Sequence, residues 1–295
     1  MNTLLHTFRE EQRLIPTADG ILIPLWLYLP ERPRAVIQFN PGTAAKMRFY
    51  QSFLRFFAER GYVVGQLGYR ACAEGPKTDL VNCGFNCADY GRFDMPAGKN
   101  YLQQQFPNLP FFILGHSGGG QQLPFVEDLD NVVGAQFFGV STGFAPEMPL
   151  NYRLQSHFFF YLFGPLSLAT KGYIAASRYK IMEDLPPGIF KDWRAWCTSP
   201  DYFFDERFYG KTVPIVDFDR IKFPIHHYHS SDEVISTREN VRTFWQHWKS
   251  SGGISHELIQ PEDHRVQEIS HFGYFRDKMK ATLWQEVVER FEEWL

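Results

Sequence analysis

The spacing of apolar and polar positions changes along this chain, and each change marks a different kind of element. Gln12 to Pro16, a turn at Ala18-Asp19-Gly20, and Ile21 to Leu29 closed by Pro30 read as an antiparallel hairpin at a sheet edge. After Arg34 short and nearly continuous apolar runs take over: Ala35 to Phe39, Tyr62 to Leu67, Phe111 to Leu114 and Val132 to Phe138. Separated by segments of helical spacing, they predict parallel strands covered on both faces. Between the first two, Met47, Tyr50, Leu54 and Phe57 recur at three- and four-residue intervals, and Gly61 stands where a helix would stop. Residues Gly68 to Ala88 read as a loop after the carboxyl end of a strand, where loops border the site in an open sheet.

After Val140 the alternation ceases. Residues 141–215 are aromatic-rich and interrupted by prolines at 146, 149, 165, 186, 187, 200 and 214, which predicts an inserted helical cap. The sheet pattern then resumes with a strand at Pro224 to His229, a helix from Thr237 to Trp248, a strand near Glu257 to Gln260 and a final helix from Lys278 to Leu295. The fold class is therefore α/β: a mostly parallel twisted sheet with helices on both faces, made from residues 1–140 and 216–295, carrying the 141–215 cap as part of one unit.

Composition adds constraints on partners. The 295 residues are 44% apolar, 17% aromatic and 21% charged, with a formal net charge of -3 and no block of like charge. This balance gives no electrostatic reason for a nucleic-acid or anionic-membrane partner and suits a small neutral or apolar ligand. The Met1 to Pro16 stretch carries Arg9, Glu10, Glu11 and Arg13, so it lacks the apolar centre of a secretion signal and a cytoplasmic location is expected. The apolar run Phe158 to Phe163 falls far short of the ~20 residues of a spanning helix.

The chemistry concentrates at Phe111-Phe112-Ile113-Leu114-Gly115-His116-Ser117-Gly118-Gly119-Gly120. A G-x-S-x-G sequence between a buried strand and a small-residue turn puts Ser117 at the apex of a strained strand-to-helix reversal, a position suited to a nucleophile. Helix entry also aims the Gly118 amide where a carbonyl oxygen would become an oxyanion. A second amide is expected from Asn40-Pro41-Gly42-Thr43-Ala44-Ala45, with Thr43 or Ala44 as donor. A serine hydroxyl needs a base, and the base needs a group that fixes its tautomer. In this architecture they follow in the order acid, then histidine. Asp232 lies in the loop after the His229 strand, with Glu233 beside it as the second choice. His271, between the last strand and the last helix, is the expected base, and His264, in a polar segment that reads as surface, is the second choice.

Other clusters carry less. Alternation along a strand sends His227 and His229 to one face and His226 to the other, which argues against joint metal chelation. Cys72, Cys83, Cys87 and Cys197 lack a usual zinc spacing and read as reduced thiols. The reading requires neither metal nor cofactor.

These residues resemble the α/β-hydrolase superfamily, and more narrowly a bacterial esterase/lipase-like group, from about Gln12 onward. The narrower likeness rests on several motifs: Thr43 with Phe49-Tyr50, Gly68-Tyr69-Arg70, Gly115-His116-Ser117-Gly118-Gly119, Asp184-Leu185-Pro186-Pro187-Gly188 with Trp193 and Trp196, and Ser270-His271-Phe272-Gly273-Tyr274-Phe275-Arg276. The chain departs from that pattern at Asn40-Pro41-Gly42, where many relatives carry His-Gly, and at Ala71-Cys72, where Tyr-Arg is commonly followed by Gly. The resemblance implies a serine hydrolase with Ser117, Asp232 and His271 as nucleophile, acid and base. The elbow with its ordered acid and base points to an acyl-enzyme formed from a carboxylic ester or thioester, and the aromatic cap favours a hydrophobic substrate of small to medium size. The same triad would serve acyl transfer or carbon–carbon hydrolysis, and the fold would also serve a non-catalytic receptor. In the cap, Phe158, Phe159, Tyr161, Phe163 and Trp193 are the expected apolar contacts of the substrate.

Overall fold

A computed structural model describes residues 6–295; Met1 to Leu5, the start of the stretch read above for a leader, lie outside the described residues. The hairpin forms as expected from β1 (Phe8–Pro16) and β2 (Leu22–Pro30), in register from Phe8 opposite Pro30 to Pro16 opposite Leu22. Gly20, at φ +84°, takes the left-handed turn position that a side chain would resist. Six further strands follow: β3 (Ala35–Asn40), β4 (Tyr62–Leu67), β5 (Phe111–His116), β6 (Val132–Phe138), β7 (Ile225–Ser230) and β8 (Ile254–Ile259). They build one open sheet in the order β1-β2-β4-β3-β5-β6-β7-β8. The β1–β2 and β2–β4 pairs are antiparallel and the remaining neighbours are parallel.

The period-two side-chain rule divides the core into two layers. Ile37, Phe39, Phe112 and Leu114 point to one face and pack with Phe53 and Phe57 of α1 (Gln51–Ala58) and with Trp284, Val287 and Phe291 of α8 (Leu283–Glu293). Val36, Val63, Phe111 and Ile113 point to the other and pack with Met95 and Leu102 of α2 (Met95–Gln105). Close packing of α2 requires Gly65, since a Cβ there would sit 2.6 Å from the Leu102 side chain. The helical stretch Tyr90–Gln105 was not legible in the pattern, because Gly91, Pro96 and Gly98 read as loop residues. Pro96 stands where the wider π-type turn Tyr90–Asp94 passes into α2.

Between β6 and β7 the chain forms α4 (Leu150–Phe158), α5 (Gly164–Lys171) and α6 (Pro187–Cys197), with a wider helical turn at Phe159–Phe163 joining the first two. Beyond β7, α7 (Arg238–Trp245) is capped by the Thr237 hydroxyl, which accepts from the Asn240 amide. It ends earlier than the spacing predicts. The β8 strand starts earlier, at Ile254, and the last helix starts later, at Leu283, after a short turn at Asp277–Met279. Among the described residues no helix is long and apolar enough to cross a membrane. The four cysteines are free thiols.

On β7 the histidines divide as alternation requires. His227 and His229 stack on one face with ring centroids 5.4 Å apart, while His226 turns to the other and bonds Ser255 and Glu257. His227 Nε2 accepts from the Val140 amide at 3.0 Å. Burial, then the neighbouring His229, His256 and His226, push the His227 pKa well below the ordinary 6.5. A group kept neutral in this way contributes stability above its unfolded pKa and loses it as pH falls, because the unfolded chain takes the proton first. The stability difference between wild type and His227→Asn, from urea unfolding, should therefore be largest near pH 8. Below pH 6.5 it should shrink by up to about 1.4 kcal/mol per pH unit. A pH-independent difference would contradict a neutral His227.

Candidate active site

Strand β5 ends at His116, and the chain reverses at Ser117 into α3 (Gly118–Gln121). Ser117 has φ 49° and ψ −119°, a conformation that costs a non-glycine residue about 1–3 kcal/mol and persists only where neighbours enforce it. The enforcement is visible. The Ser117 amide donates to the Phe138 carbonyl at 2.9 Å, and its own carbonyl accepts from Gly120 and Gln121. A Cβ on Gly119 would collide with the Asn40 carbonyl oxygen, and one on Gly115 would lie 2.8 Å from the Phe137 ring. The flanking glycines are what allow β3, β5 and β6 to approach the turn.

Gly118 faces the loop after β3: a Cβ on it would collide with Thr43 Oγ1 and lie 3.1 Å from the Thr43 amide nitrogen. As the first residue of a helix, Gly118 also has an N–H free of the helix ladder. The Thr43 backbone thus lies against Gly118, the residue after Ser117. Ala44 turns the loop away at φ 56°, and its carbonyl accepts from the Glu183 amide at 3.0 Å. Of the two donors expected from this loop, the structure sets Thr43 against Gly118.

His271 is 4% exposed and reaches the elbow from the loop after β8. Its ring lies 4.8 Å from that of His116 and within 3.1 Å of the space above Gly139, the residue after the Phe138 carbonyl that holds Ser117. Its partner is Glu233 and not the expected Asp232: Nδ1 lies 3.0 and 3.1 Å from the two Glu233 carboxylate oxygens. Asp232 is occupied elsewhere, accepting from the Ile269 and Ser270 amides at 2.9 Å each and from the Ser230 hydroxyl. The turn after β7 sends the two adjacent carboxylates in different directions, one to brace the backbone before His271 and the other to meet its ring. Ser270, at φ 49°, gives that backbone its bend.

Glu233 is fully enclosed, and burial alone would raise its pKa. The His271 charge and hydrogen bond, the Ile235 amide and the Tyr274 hydroxyl outweigh burial, so the net shift is downward and the carboxylate stays ionised. The Tyr274 hydroxyl donates to it at 3.0 Å, and the Val234 and Ile235 amides at 3.1 and 3.2 Å. His264 lies outside this constellation. It is buried in the turn after β8, not at the surface, and its charge acts on Glu257 and Glu286.

One arrangement had no counterpart in the sequence reading. The Gly42 amide donates to the Tyr50 hydroxyl at 3.2 Å, that hydroxyl lies 2.7 Å from His116 Nδ1, and His116 Nε2 lies 2.9 Å from the His271 carbonyl. A carbonyl only accepts, so the proton sits on Nε2 and Nδ1 accepts from Tyr50. Burial, then the proximity of His271, push His116 well below the ordinary histidine range and keep it neutral. The chain of bonds ties the β3 loop, the elbow and the His271 loop together. In the sequence, helical spacing marked Tyr50 as a core position, and Tyr50 and His116 both stood in the motifs of the resemblance without a role assigned to either.

The aromatics expected to meet the substrate divide. Phe158 and Tyr161 are each 55% exposed, and neither lines the narrow cavity behind the β3 loop, between Gly42, Ala44, Tyr69, Tyr90, Glu183 and Leu185. Phe159 stacks on Phe163 at 5.8 Å and packs on Trp193 at 5.7 Å. The structure places these three against one another inside the insert, and they too stay out of that cavity.

No family model and no curated protein matches the sequence. Solved structures do match the fold. An esterase of Pyrococcus furiosus superposes with a TM-score of 0.62 at 13% identity, covering 97% of this chain and 92% of that one. A thermostable carboxyl esterase from Bacillus coagulans gives 0.61 at 15% identity over 97% and 98%. Est816, an N-acyl homoserine lactone degrading enzyme, gives 0.57 at 16% over 95% and 100%. The chain has the α/β-hydrolase fold, as the sequence motifs implied.

Removing the Tyr50 hydroxyl leaves the Gly42 donor and the His116 acceptor buried without partners. Tyr50→Phe should therefore lower unfolding stability by about 1–3 kcal/mol in urea melts. An unchanged stability would mean that the bonded chain does not hold the three loops.

Proposed function

We propose that this protein is a serine hydrolase that cleaves small to medium hydrophobic carboxylic esters or thioesters through an acyl-enzyme on Ser117. The observation that carries the reading is a strained serine elbow together with a buried histidine whose Nδ1 is held by an ionised carboxylate. In the reaction, the Ser117 hydroxyl gives its proton to His271 as Oγ attacks the carbonyl carbon. The oxyanion takes hydrogen bonds from the Gly118 and Thr43 amides, and collapse expels the alcohol or thiol with the proton from His271. Water then attacks the acyl carbon with His271 as base, releasing the acid and restoring Ser117. Glu233 holds the His271 tautomer and balances the imidazolium, the role first given to Asp232, which instead shapes the loop that carries His271.

The α/β-hydrolase fold supports ester chemistry by analogy. Residues 141–215 are read as a cap over a core of 1–140 and 216–295. Its exposed Phe158 and Tyr161 offer apolar surface to an acyl chain, worth roughly 25 cal/mol per Å² covered. Phe159, Phe163 and Trp193 would shape that surface from behind.

With p-nitrophenyl esters of graded chain length, Ser117→Ala and His271→Ala should each lower kcat by about 10⁴-fold or more in folded protein. Glu233→Gln should cost nearly as much, whereas Asp232→Asn should mainly lower stability. Equal activity of Glu233→Gln and wild type would return the acid role to Asp232. In the cap, Phe158→Ala should shift chain-length preference in kcat/KM at nearly unchanged stability, and Phe159→Ala should do the reverse. The cap reading fails if Phe158→Ala and Tyr161→Ala both leave the preference unaltered.

A further inference from the structure

Beside the β3 loop, the segment 71–80 and residues Ser177, Glu183 and Asp184 enclose a cleft of about 250 Å³. Ser117 does not line it. Glu183 lines both this cleft and the narrow cavity that reaches Gly42 and Ala44. It is 5% exposed, and its Oε1 has no hydrogen-bond partner. Its other oxygen accepts from the Ala73 amide at a long 3.4 Å, and the carboxyl lies within side-chain hydrogen-bond reach of Glu74. Glu74, which lines the cleft beside it, also has a buried carboxyl oxygen, Oε2, with no partner. Buried carboxyl oxygens left unbonded are costly and uncommon, so this pair must be satisfied by a proton shared between them or by a donor from an occupant.

We propose that this cleft is a binding site for an organic ammonium group, held by Glu183 Oε1 and Glu74 Oε2. An ammonium carries several N–H donors on one charged atom and can satisfy both oxygens at once, whereas a hydroxyl has a single donor. A metal ion fits less well: among the described residues no group of three or more metal-ligating side chains gathers. Burial, and then the Glu74 carboxyl beside it, raise the Glu183 pKa, and a cation placed between the two relieves both effects. The Cys72 thiol, also pushed up by burial and by these two glutamates, stays neutral and forms an apolar wall for the carbon attached to nitrogen. Lys46 and Lys77 stand exposed at the rim, and the Lys46 charge acts on Glu183 from there. Because the Glu183 amide donates to the Ala44 carbonyl, an occupant lies one hydrogen bond from the β3 loop.

The test is isothermal titration of the full chain with n-butylammonium chloride, and with n-butanol as the uncharged isostere at matched ionic strength. One saturable site for butylammonium is expected, with no saturable binding of butanol, and E183Q should bind butylammonium at least about tenfold more weakly while keeping its thermal transition. If E183Q does not fold, E74Q provides the same comparison. No saturable binding to wild type, equal binding of butanol, or unchanged affinity in the folded variant would overturn the site. The titration does not involve Ser117, so it stands or falls separately from the hydrolase reading.

Discussion

The arrangement depends on one backbone constraint: Ser117 is held at a positive φ where β5 turns into α3. The strain persists because neighbouring backbone fixes it on several sides, through the Phe138 carbonyl on one strand and the close approach of Gly119 to Asn40 on another. Sheet order makes this possible. β5 lies between β3 and β6, so the loop after β3 arrives beside Gly118, while the loops after β7 and β8 bring Glu233 and His271 to the same edge. A side chain at Gly119 would force these strands apart at the point where their ends converge.

The second requirement is electrostatic. A buried carboxylate is expensive unless its oxygens are satisfied, and Glu233 meets that demand with a histidine, a tyrosine hydroxyl and two backbone amides. The same bonds that keep it ionised fix its position, so that His271 meets a charge whose orientation is set by the fold. Asp232 contributes differently, by bracing the Ile269 and Ser270 amides, and two adjacent acidic residues thereby divide the orientation of one histidine between ring and backbone.

Much of this was legible in the chain because it is local. The strands showed as apolar runs, the hairpin as alternation around a glycine turn, and the elbow as a serine among glycines after a buried strand. What was missed depends on contacts between distant segments. Which of Asp232 and Glu233 meets His271 is decided by the path of a turn, and a one-residue ambiguity there does not alter any hydrophobic pattern. Helix α2 was hidden because its glycines and proline weaken propensity, while packing against Gly65 and Leu67 stabilises it. His264 looked like a surface residue because its sequence neighbours are polar, yet the turn after β8 folds it inward. The cap aromatics were recognisable as a cluster, but sorting them into solvent-facing Phe158 and Tyr161 and the stacked Phe159, Phe163 and Trp193 required the helix rotation that the π-type turn sets.

The central claim is that the strained turn presents Ser117 as an activated nucleophile. It is tested most directly by treating the folded protein with a fluorophosphonate probe and locating the adduct by peptide mass spectrometry. The account predicts a single phosphonyl adduct on Ser117, formed much more slowly when Glu233 is replaced by glutamine and at close to the normal rate when Asp232 is replaced by asparagine. Folded protein that remains unlabelled, or that carries the adduct on another residue, would contradict it.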